Sequence, residues 1–195
     1  FHDGKVPVTG DILRNPDLAK SLALIGRDGA KAFYDGPIGA AIVAEAKAHN
    51  GLITAADLKN YKVVERVPVR GSYRGYEIVS MPPPSSGGVH IIQILNILSQ
   101  FPLHDWGHNS AKSIHAMAEA EKRAYADRSE YLGDPDFVKV PVKGLTSPDY
   151  AEELAGQIDL AHATPAAQIK PGRPQPYESN QTTQYTVADG HGSVV

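Results

Sequence analysis

The chain has 195 residues, of which 42% are hydrophobic and 21% are charged, the ordinary balance of a globular protein with a buried core. Its formal net charge of -3 leaves no basic excess to neutralise a phosphate backbone, which argues against nucleic acid as a partner. With 0 cysteines, the chain has no disulfide, thiolate nucleophile or thiolate metal ligand. No apolar run reaches the roughly 18 residues of a membrane-spanning helix. Because the sequence begins at Phe1 without a signal-peptide pattern, we expect any targeting segment to lie outside it or to have been removed.

Three helices are predicted in the first part of the chain. The first covers residues 15–28, where Pro16 favours a helix start and apolar residues recur at helical spacing. The second covers residues 37–50 and carries an apolar stripe. The third is short, because Thr54 and Asp57 have the spacing of a capping box.

A small β-hairpin and a buried helix are predicted next. Valine, isoleucine and tyrosine residues within 63–80 favour paired strands around a turn at 71–75. Residues 81–88 (MPPPSSGG) predict a shaped loop, because prolines restrict the backbone and remove hydrogen-bond donors. Residues 89–100 are apolar on nearly all sides, so we place the core at this helix.

The longest predicted helix covers residues 111–132 and is capped by Ser110. Its charge-rich part, residues 119–130, is interpreted as a solvated face with intrahelical ion pairs and no acid/base dyad. The predicted inward stripe consists of Ile114, Met117, Ala118, Ala124, Tyr125 and Leu132.

The last part of the chain is predicted to be only partly regular. A modest helix covers residues 149–158, and the proline-rich residues 164–178 are predicted to be extended or mobile. Residues 182–187 and 192–195 are β-like on either side of a turn, which predicts the start of a hairpin that stops in mid-strand.

Short polar motifs favour structural roles over ligand binding. His115 and Glu119 have the spacing of a metal pair but no third ligand nearby, and Asp134 and Asp136 lack the full calcium-loop spacing. The glycines of residues 81–88 precede a helix, yet the P-loop lysine and the dinucleotide-binding spacing are missing. We therefore expect no metal site and no cofactor site, and interpret this loop as structural.

The segment around Thr182 is different, because a proline-rich stretch leads into a β-like run that begins with a hydroxyl residue. By itself this is only a threonine-rich strand start. If the bond between Gln181 and Thr182 were cleaved, Thr182 would carry both a nucleophilic hydroxyl and a free α-amine. The pKa of such an amine, about 8, would let it act as the general base.

Four motifs in order carry a family resemblance: residues 73–76 (YRGY), 81–88 (MPPPSSGG), 118–135 (AEAEKRAYADRSEYLGDP) and 177–183 (YESNQTT). On these motifs, the sequence resembles the bacterial γ-glutamyltranspeptidases, which are N-terminal nucleophile hydrolases, over essentially its whole length. In that family a proenzyme cleaves itself before the threonine of the QTT motif. The resemblance implies that Gln181 ends a large subunit and that Thr182 begins the small subunit as the self-processing nucleophile.

The resemblance also implies a reaction and its partners. The γ-glutamyl group of glutathione or a related compound would pass through an acyl-enzyme on Thr182 to water, amino acids or peptides, without a cofactor. In the family, the oxyanion donors and the residues that grip the γ-glutamyl group lie outside the part that this chain represents. The remainder of the small subunit is therefore an implied partner, and the chain by itself is expected to be inactive. Bacterial relatives imply a periplasmic or extracellular location.

The fold class that follows is α+β and mainly helical. We expect a helical large-subunit region with a small hairpin at 1–162, a proline-rich processing loop at 163–181, and the first strands of the small subunit at 182–195. These strands would be an incomplete part of an αββα sandwich. Two other functions stay open: a cephalosporin acylase of the same superfamily, with the same role for Thr182, and a non-catalytic helical scaffold.

Overall fold

The computed structural model describes residue 4 and residues 6–178. The chain divides into two compact units, Phe1–Glu65 and Arg66–Val195. Gln181, Thr182 and the expected strands at 182–195 lie outside the described residues, so the division of the chain at 162 and 181 stays a prediction. Within the described residues, no helix is both long and apolar enough to cross a membrane.

The first unit is helical in its described part, and the local sequence signals at its helix ends are confirmed. The Asn15 side chain accepts a hydrogen bond from the Leu18 N–H at 3.0 Å, and Thr54 with Asp57 forms a capping box. The helices are α1 (Pro16–Asp28), α2 (Lys31–Tyr34), α3 (Pro37–Ala48) and α4 (Ala55–Asn60).

The second unit combines a two-stranded antiparallel sheet with further helices. The two strands pair from Val69 opposite Ser80 to Tyr73 opposite Tyr76. Its elements are β1 (Val69–Tyr73), β2 (Tyr76–Ser80), α5 (Ser86–Leu98), α6 (Leu103–Trp106), α7 (Ala111–Tyr131), α8 (Val142–Leu145), α9 (Pro148–Gly156) and two 3₁₀ turns, Ala166–Gln168 and Gln175–Tyr177.

The hairpin turn is shorter than the sequence predicted. It consists of Arg74 and Gly75, which both have positive φ, at 49° and 85°. Two-residue turns of this hand match the natural twist of the paired strands. Gly71, expected in the turn, lies inside β1 opposite Ile78, and a Cβ on it would approach Ile92 Cγ2 to 2.7 Å. That glycine therefore allows β1 to lie close against α5.

Helix α5 begins three residues before the predicted start at 89, inside the predicted loop. The Ser85 side chain caps it by accepting a hydrogen bond from the Gly87 N–H at 3.1 Å. A Cβ on Gly88 would lie 2.2 Å from the carbonyl oxygen of Met81. The glycine pair is thus a contact point between the first turn of α5 and the backbone that leaves β2.

The core lies between α5, α7 and α9, as the apolar character of residues 89–100 predicted. Small alanines on α7 let the neighbouring helices come close, because they add little side-chain volume. The buried cluster consists of Val89, Ile97, Leu98, Ala116, Ala120, Val140, Leu145, Tyr150, Ala151, Leu154 and Ala155.

The predicted inward face of α7 is mostly wrong. Of its six residues, Ile114, Met117, Ala118 and Tyr125 are exposed. The buried face instead combines small and charged residues, so residues 119–130 are not simply a solvated face. The apolar pattern does not identify the buried face of α7, because the charged residues on that face are buried with hydrogen-bond partners from distant parts of the chain. The buried residues are Ser113, Ala116, Glu119, Ala120, Arg123, Ala124 and Asp127.

Replacing Gly88 by alanine is expected to lower the free energy of unfolding by about 1–3 kcal/mol, because the new Cβ meets a backbone oxygen that cannot rotate away. Gly156→Ala is the matched control, since a Cβ there meets nothing within 4 Å. Urea unfolding followed by circular dichroism measures both variants. Equal unfolding free energies for the two would contradict the close approach at Gly88.

Candidate functional site

The structure describes the residues that lead up to the expected cleavage bond, but the bond itself lies outside the described residues. Glu178, the last described residue, precedes Gln181 by three positions. We call residues 164–178 the leader. The prediction that they are extended is only partly confirmed: two 3₁₀ turns interrupt an otherwise irregular backbone, and the segment is hydrogen-bonded to α7 and α8 at three points along its length.

The first attachment is made by Glu119 of α7, whose side chain is 1% exposed. One carboxylate oxygen accepts hydrogen bonds from the Thr164 N–H at 2.9 Å and from Lys122, and the other accepts from Arg123 at 2.7 Å. Burial alone would raise the pKa of Glu119. The hydrogen bonds from Lys122, Arg123 and Thr164 outweigh it and lower the pKa to about 2. Glu119 is therefore a charged anchor for the start of the leader.

The second attachment is made by Asp127, which is fully buried on the same helix. Its Oδ2 accepts hydrogen bonds from Gln93 Nε2 at 2.5 Å and from the Tyr150 hydroxyl at 2.7 Å, and its Oδ1 accepts from the Gly172 N–H at 2.7 Å. Burial, together with the bond to Asp127, raises the pKa of Tyr150, so the phenol stays protonated and donates. One carboxylate thus joins α5, α9 and the leader to α7.

The hydrogen bonds around Asp127 all point toward it. Because a carboxylate only accepts, Gln93 must present its amide nitrogen to Asp127 and its oxygen to His90 Nδ1, which lies 2.9 Å away. His90 therefore donates from Nδ1. Burial lowers the pKa of His90 and favours the neutral ring, and its Nε2 has no hydrogen-bond partner among the described residues.

The third attachment lies at the end of the leader. The Gly144 N–H of α8 donates to Glu178 Oε2 at 2.7 Å, and the Tyr177 hydroxyl donates to Glu153 at 2.9 Å. The rings of Tyr177 and Tyr150 lie 5.5 Å apart. The leader is consequently fixed up to the last residue that the structure describes.

Two glycines permit this close docking. A Cβ on Gly172 would lie 2.1 Å from the Tyr150 hydroxyl oxygen, and a Cβ on Gly144 would lie 2.1 Å from the carbonyl oxygen of Pro174. Pro174 itself is fully buried. A side chain at either glycine would push the leader away from α8 or α9.

The sequence analysis did not identify Asp127, Tyr150 and Gly172 as residues that hold the leader against the helices. A usable signal was present, because Glu119, Arg123 and Asp127 recur at i, i+4 and i+8 next to a row of alanines. Residues at this spacing share one helix face, and the small residues beside them allow another segment to pack closely there.

The motifs that were weighed as metal sites have structural partners. His115 Nε2 donates to the Asp159 carbonyl oxygen at 2.7 Å, and Arg66 binds Asp136 at 2.7 Å with Asp134 nearby. Within the described part of the chain, no group of three His, Asp or Glu side chains is placed to hold a metal ion.

The whole sequence, including the part that forms this arrangement, matches a known protein family. The family model described as gamma-glutamyltranspeptidase matches residues 1–195. The chain belongs to the γ-glutamyltranspeptidase family. The resemblance carried by the four sequence motifs is thereby confirmed, as is the mainly helical character expected of this region.

Individual relatives match all or nearly all of the chain. It is 54% identical over 195 residues to the glutathione hydrolase proenzyme of Escherichia coli (strain K12), which is 100% of this chain and 34% of that protein. It is 46% identical over 193 residues to an acylase ACY 1 proenzyme of Pseudomonas sp. (strain SE83), which is 98% of this chain and 34% of that protein.

A solved structure agrees with the sequence matches. The crystal structure of Helicobacter pylori gamma-glutamyltranspeptidase superposes with a TM-score of 0.76 at 48% identity, over 88% of this chain and 49% of that one. The chain thus spans about a third of the length of the curated relatives it matches.

Replacing Glu119 by glutamine is expected to lower the free energy of unfolding at neutral pH by about 3 kcal/mol, because Arg123 and Lys122 then lose their anion. Since the folded pKa of about 2 lies below the ordinary 4.5, ionised Glu119 stabilises the parent above pH 4.5. That contribution is lost as the pH falls toward 2, so the difference between parent and variant should narrow.

Urea unfolding between pH 7 and pH 3 measures this difference. Glu121→Gln is the matched control, because Glu121 is an exposed carboxylate on the same helix, and it should leave the unfolding free energy unchanged throughout. A difference between Glu119→Gln and the parent that is constant over this pH range would contradict the assignment.

Proposed function

We propose that the full-length protein containing this chain is a γ-glutamyltransferase and glutathione hydrolase, with Thr182 as its nucleophile. The observation that carries the proposal is the family match over residues 1–195, which includes the QTT motif. The 54% identity to a glutathione hydrolase proenzyme supports the hydrolase activity and a precursor that is processed.

Maturation would begin with attack by the Thr182 hydroxyl oxygen on the carbonyl carbon of Gln181. The peptide C–N bond breaks, the nitrogen takes a proton and becomes the α-amine of Thr182, and an ester joins the two residues. Water then hydrolyses the ester, which leaves a carboxylate on Gln181 and a free hydroxyl on Thr182. The α-amine that appears is the base needed for turnover.

In each turnover, the Thr182 α-amine would take the hydroxyl proton while the oxygen attacks the γ-carbonyl carbon of the substrate. The amide C–N bond breaks, and the leaving amine is released with a proton. Water or the amine of an amino acid or peptide then attacks the acyl-enzyme and regenerates the hydroxyl. The oxyanion donors would come from the part of the protein beyond this chain.

The subunit organisation and location belong to the same proposal. Residues 1–181 would be the end of the large subunit, and residues 182–195 would be the first strands of a small subunit that completes an αββα sandwich. The partners would be the remainder of that small subunit, glutathione and other γ-glutamyl compounds, and amine acceptors. A periplasmic or extracellular location rests on analogy with bacterial members of the family.

An acylase is the second candidate, because the chain is also 46% identical to an acylase proenzyme. Both candidates use the same nucleophile, so activity toward matched substrates distinguishes them. We expect the full-length protein to hydrolyse glutathione with a kcat/KM at least about 100-fold above that for a glutaryl-substituted cephalosporin. The reverse order would establish the acylase, and no turnover of either would favour a non-catalytic scaffold.

Replacing Thr182 by alanine in the full-length protein is expected to abolish cleavage of the Gln181–Thr182 bond and to lower kcat by at least about 1000-fold, because nucleophile and base act as one unit. Thr182→Ser is the matched variant, since it keeps a hydroxyl on the same backbone position and should retain cleavage. Intact mass spectrometry and glutathione hydrolysis measure both effects. Cleavage and parent-rate turnover by Thr182→Ala would overturn the proposal.

A further inference from the structure

We propose that the contact between Asp127 and Gly172 is a positioning device for self-cleavage: it holds the leader so that the Gln181–Thr182 bond is presented for attack. The inference rests on the proposed processing reaction and adds residues outside the QTT motif to it. Asp127 and Gly172 are positioning residues, because they act on the bond through the leader.

Only three residues connect the end of the leader, Glu178, to Gln181. Three residues span at most about 11 Å, so a Glu178 fixed to Gly144 limits how far the carbonyl of Gln181 can lie from α8. Intramolecular attack depends on near-contact geometry, and a misplacement of about 1 Å costs about 100-fold in rate. The hydrogen bonds that hold the leader therefore restrict where the Gln181 carbonyl can lie, and the cleavage rate is sensitive to that position.

Of the residues that hold the leader, Asp127 combines full burial with hydrogen bonds to three separate segments. It is fully buried and obtains donors from two elements of the helical body, Gln93 on α5 and Tyr150 on α9, before the leader adds the Gly172 N–H. The Tyr131 hydroxyl donates to the carbonyl oxygen of the same Gly172 at 2.7 Å. The N–H and the carbonyl group of Gly172 are thus both hydrogen-bonded to α7, which fixes the position of the leader along that helix.

The fit at Gly172 is also steric. A Cβ would lie 2.1 Å from the Tyr150 hydroxyl oxygen, 3.0 Å from Cζ and 3.2 Å from Cε2. Even one methyl group therefore displaces the leader from Asp127. Gly172→Ala perturbs the contact from the leader side and changes no side chain of the body, whereas Asp127→Ala removes it from the body side.

The test follows conversion of the full-length precursor by intact mass over time. Gly172→Ala and Asp127→Ala are each expected to slow cleavage at least about tenfold, because both move the leader. If they act through one contact, the double variant is no slower than the slower single variant. Gln168→Ala, an exposed leader residue, is the control and should convert at the parent rate.

A second measurement separates positioning from general destabilisation. The matured fraction of Gly172→Ala should hydrolyse glutathione with parent kcat and KM, because the bond has then already been cut. In a Thr182→Ala background, Gly172→Ala should raise amide hydrogen exchange in residues 172–178 without changing exchange in α7. If Asp127→Ala does not fold, Gly172→Ala carries the test alone through these two readouts.

The outcomes distinguish this inference from the proposed function. Conversion of Gly172→Ala at the parent rate, strictly additive effects of the two variants, or an equal loss of kcat in the matured enzyme would overturn the positioning role. A parent protein that is never cut at Gln181–Thr182 would overturn the proposed function and this inference with it.

Discussion

Burial of the Asp127 carboxylate imposes the constraint that organises the second unit. A carboxylate without water must receive hydrogen bonds, and each donor that it receives is fixed in place. Here the donors are neutral and come from α5, α9 and the leader: Gln93, Tyr150 and Gly172. A single side chain therefore sets the register of three segments against α7. The same need for partners explains why charged residues occupy a face that apolar periodicity would have assigned to solvent.

Glu119 and Asp127 are both buried, but they have hydrogen-bond partners of different kinds. Glu119 is neutralised by Arg123 and by Lys122, so its stabilising effect depends on ionisation and is lost in acid. Asp127 is bound only by neutral donors. The chain of hydrogen bonds continues from Asp127 through Gln93 to His90, and each donor points toward Asp127. The leader is bound by both, at Thr164 and at Gly172. Its attachment therefore combines an electrostatic contact with one that depends on geometry.

The features that could be predicted from sequence are those whose cause is local. The starts of α1, α4 and α7 were predicted because their signals are local: Pro16 in the first turn, the Thr54–Asp57 capping box and the Ser110 cap. The role of Gly88 and the inward face of α7 depend on residues far away in the chain, which no local pattern records. The docking of the leader could not be predicted for the same reason. Its prolines indicate a restricted backbone but not the residues that the backbone contacts. Thr182 was singled out by its motif and lies beyond the described residues, so its role stays a prediction.

The sequence separation of the leader contacts sets an order of events during biosynthesis. Thr164 binds Glu119 and Gly172 binds Asp127 across 45 residues each, and Glu178 binds Gly144 across 34 residues. Contacts of this range form only after the intervening helices have assembled, because closing such loops costs entropy that local structure does not repay. A nascent or misfolded chain has no assembled surface for the leader to dock against. If the proposed self-cleavage depends on that docked surface, it would be confined to correctly folded molecules.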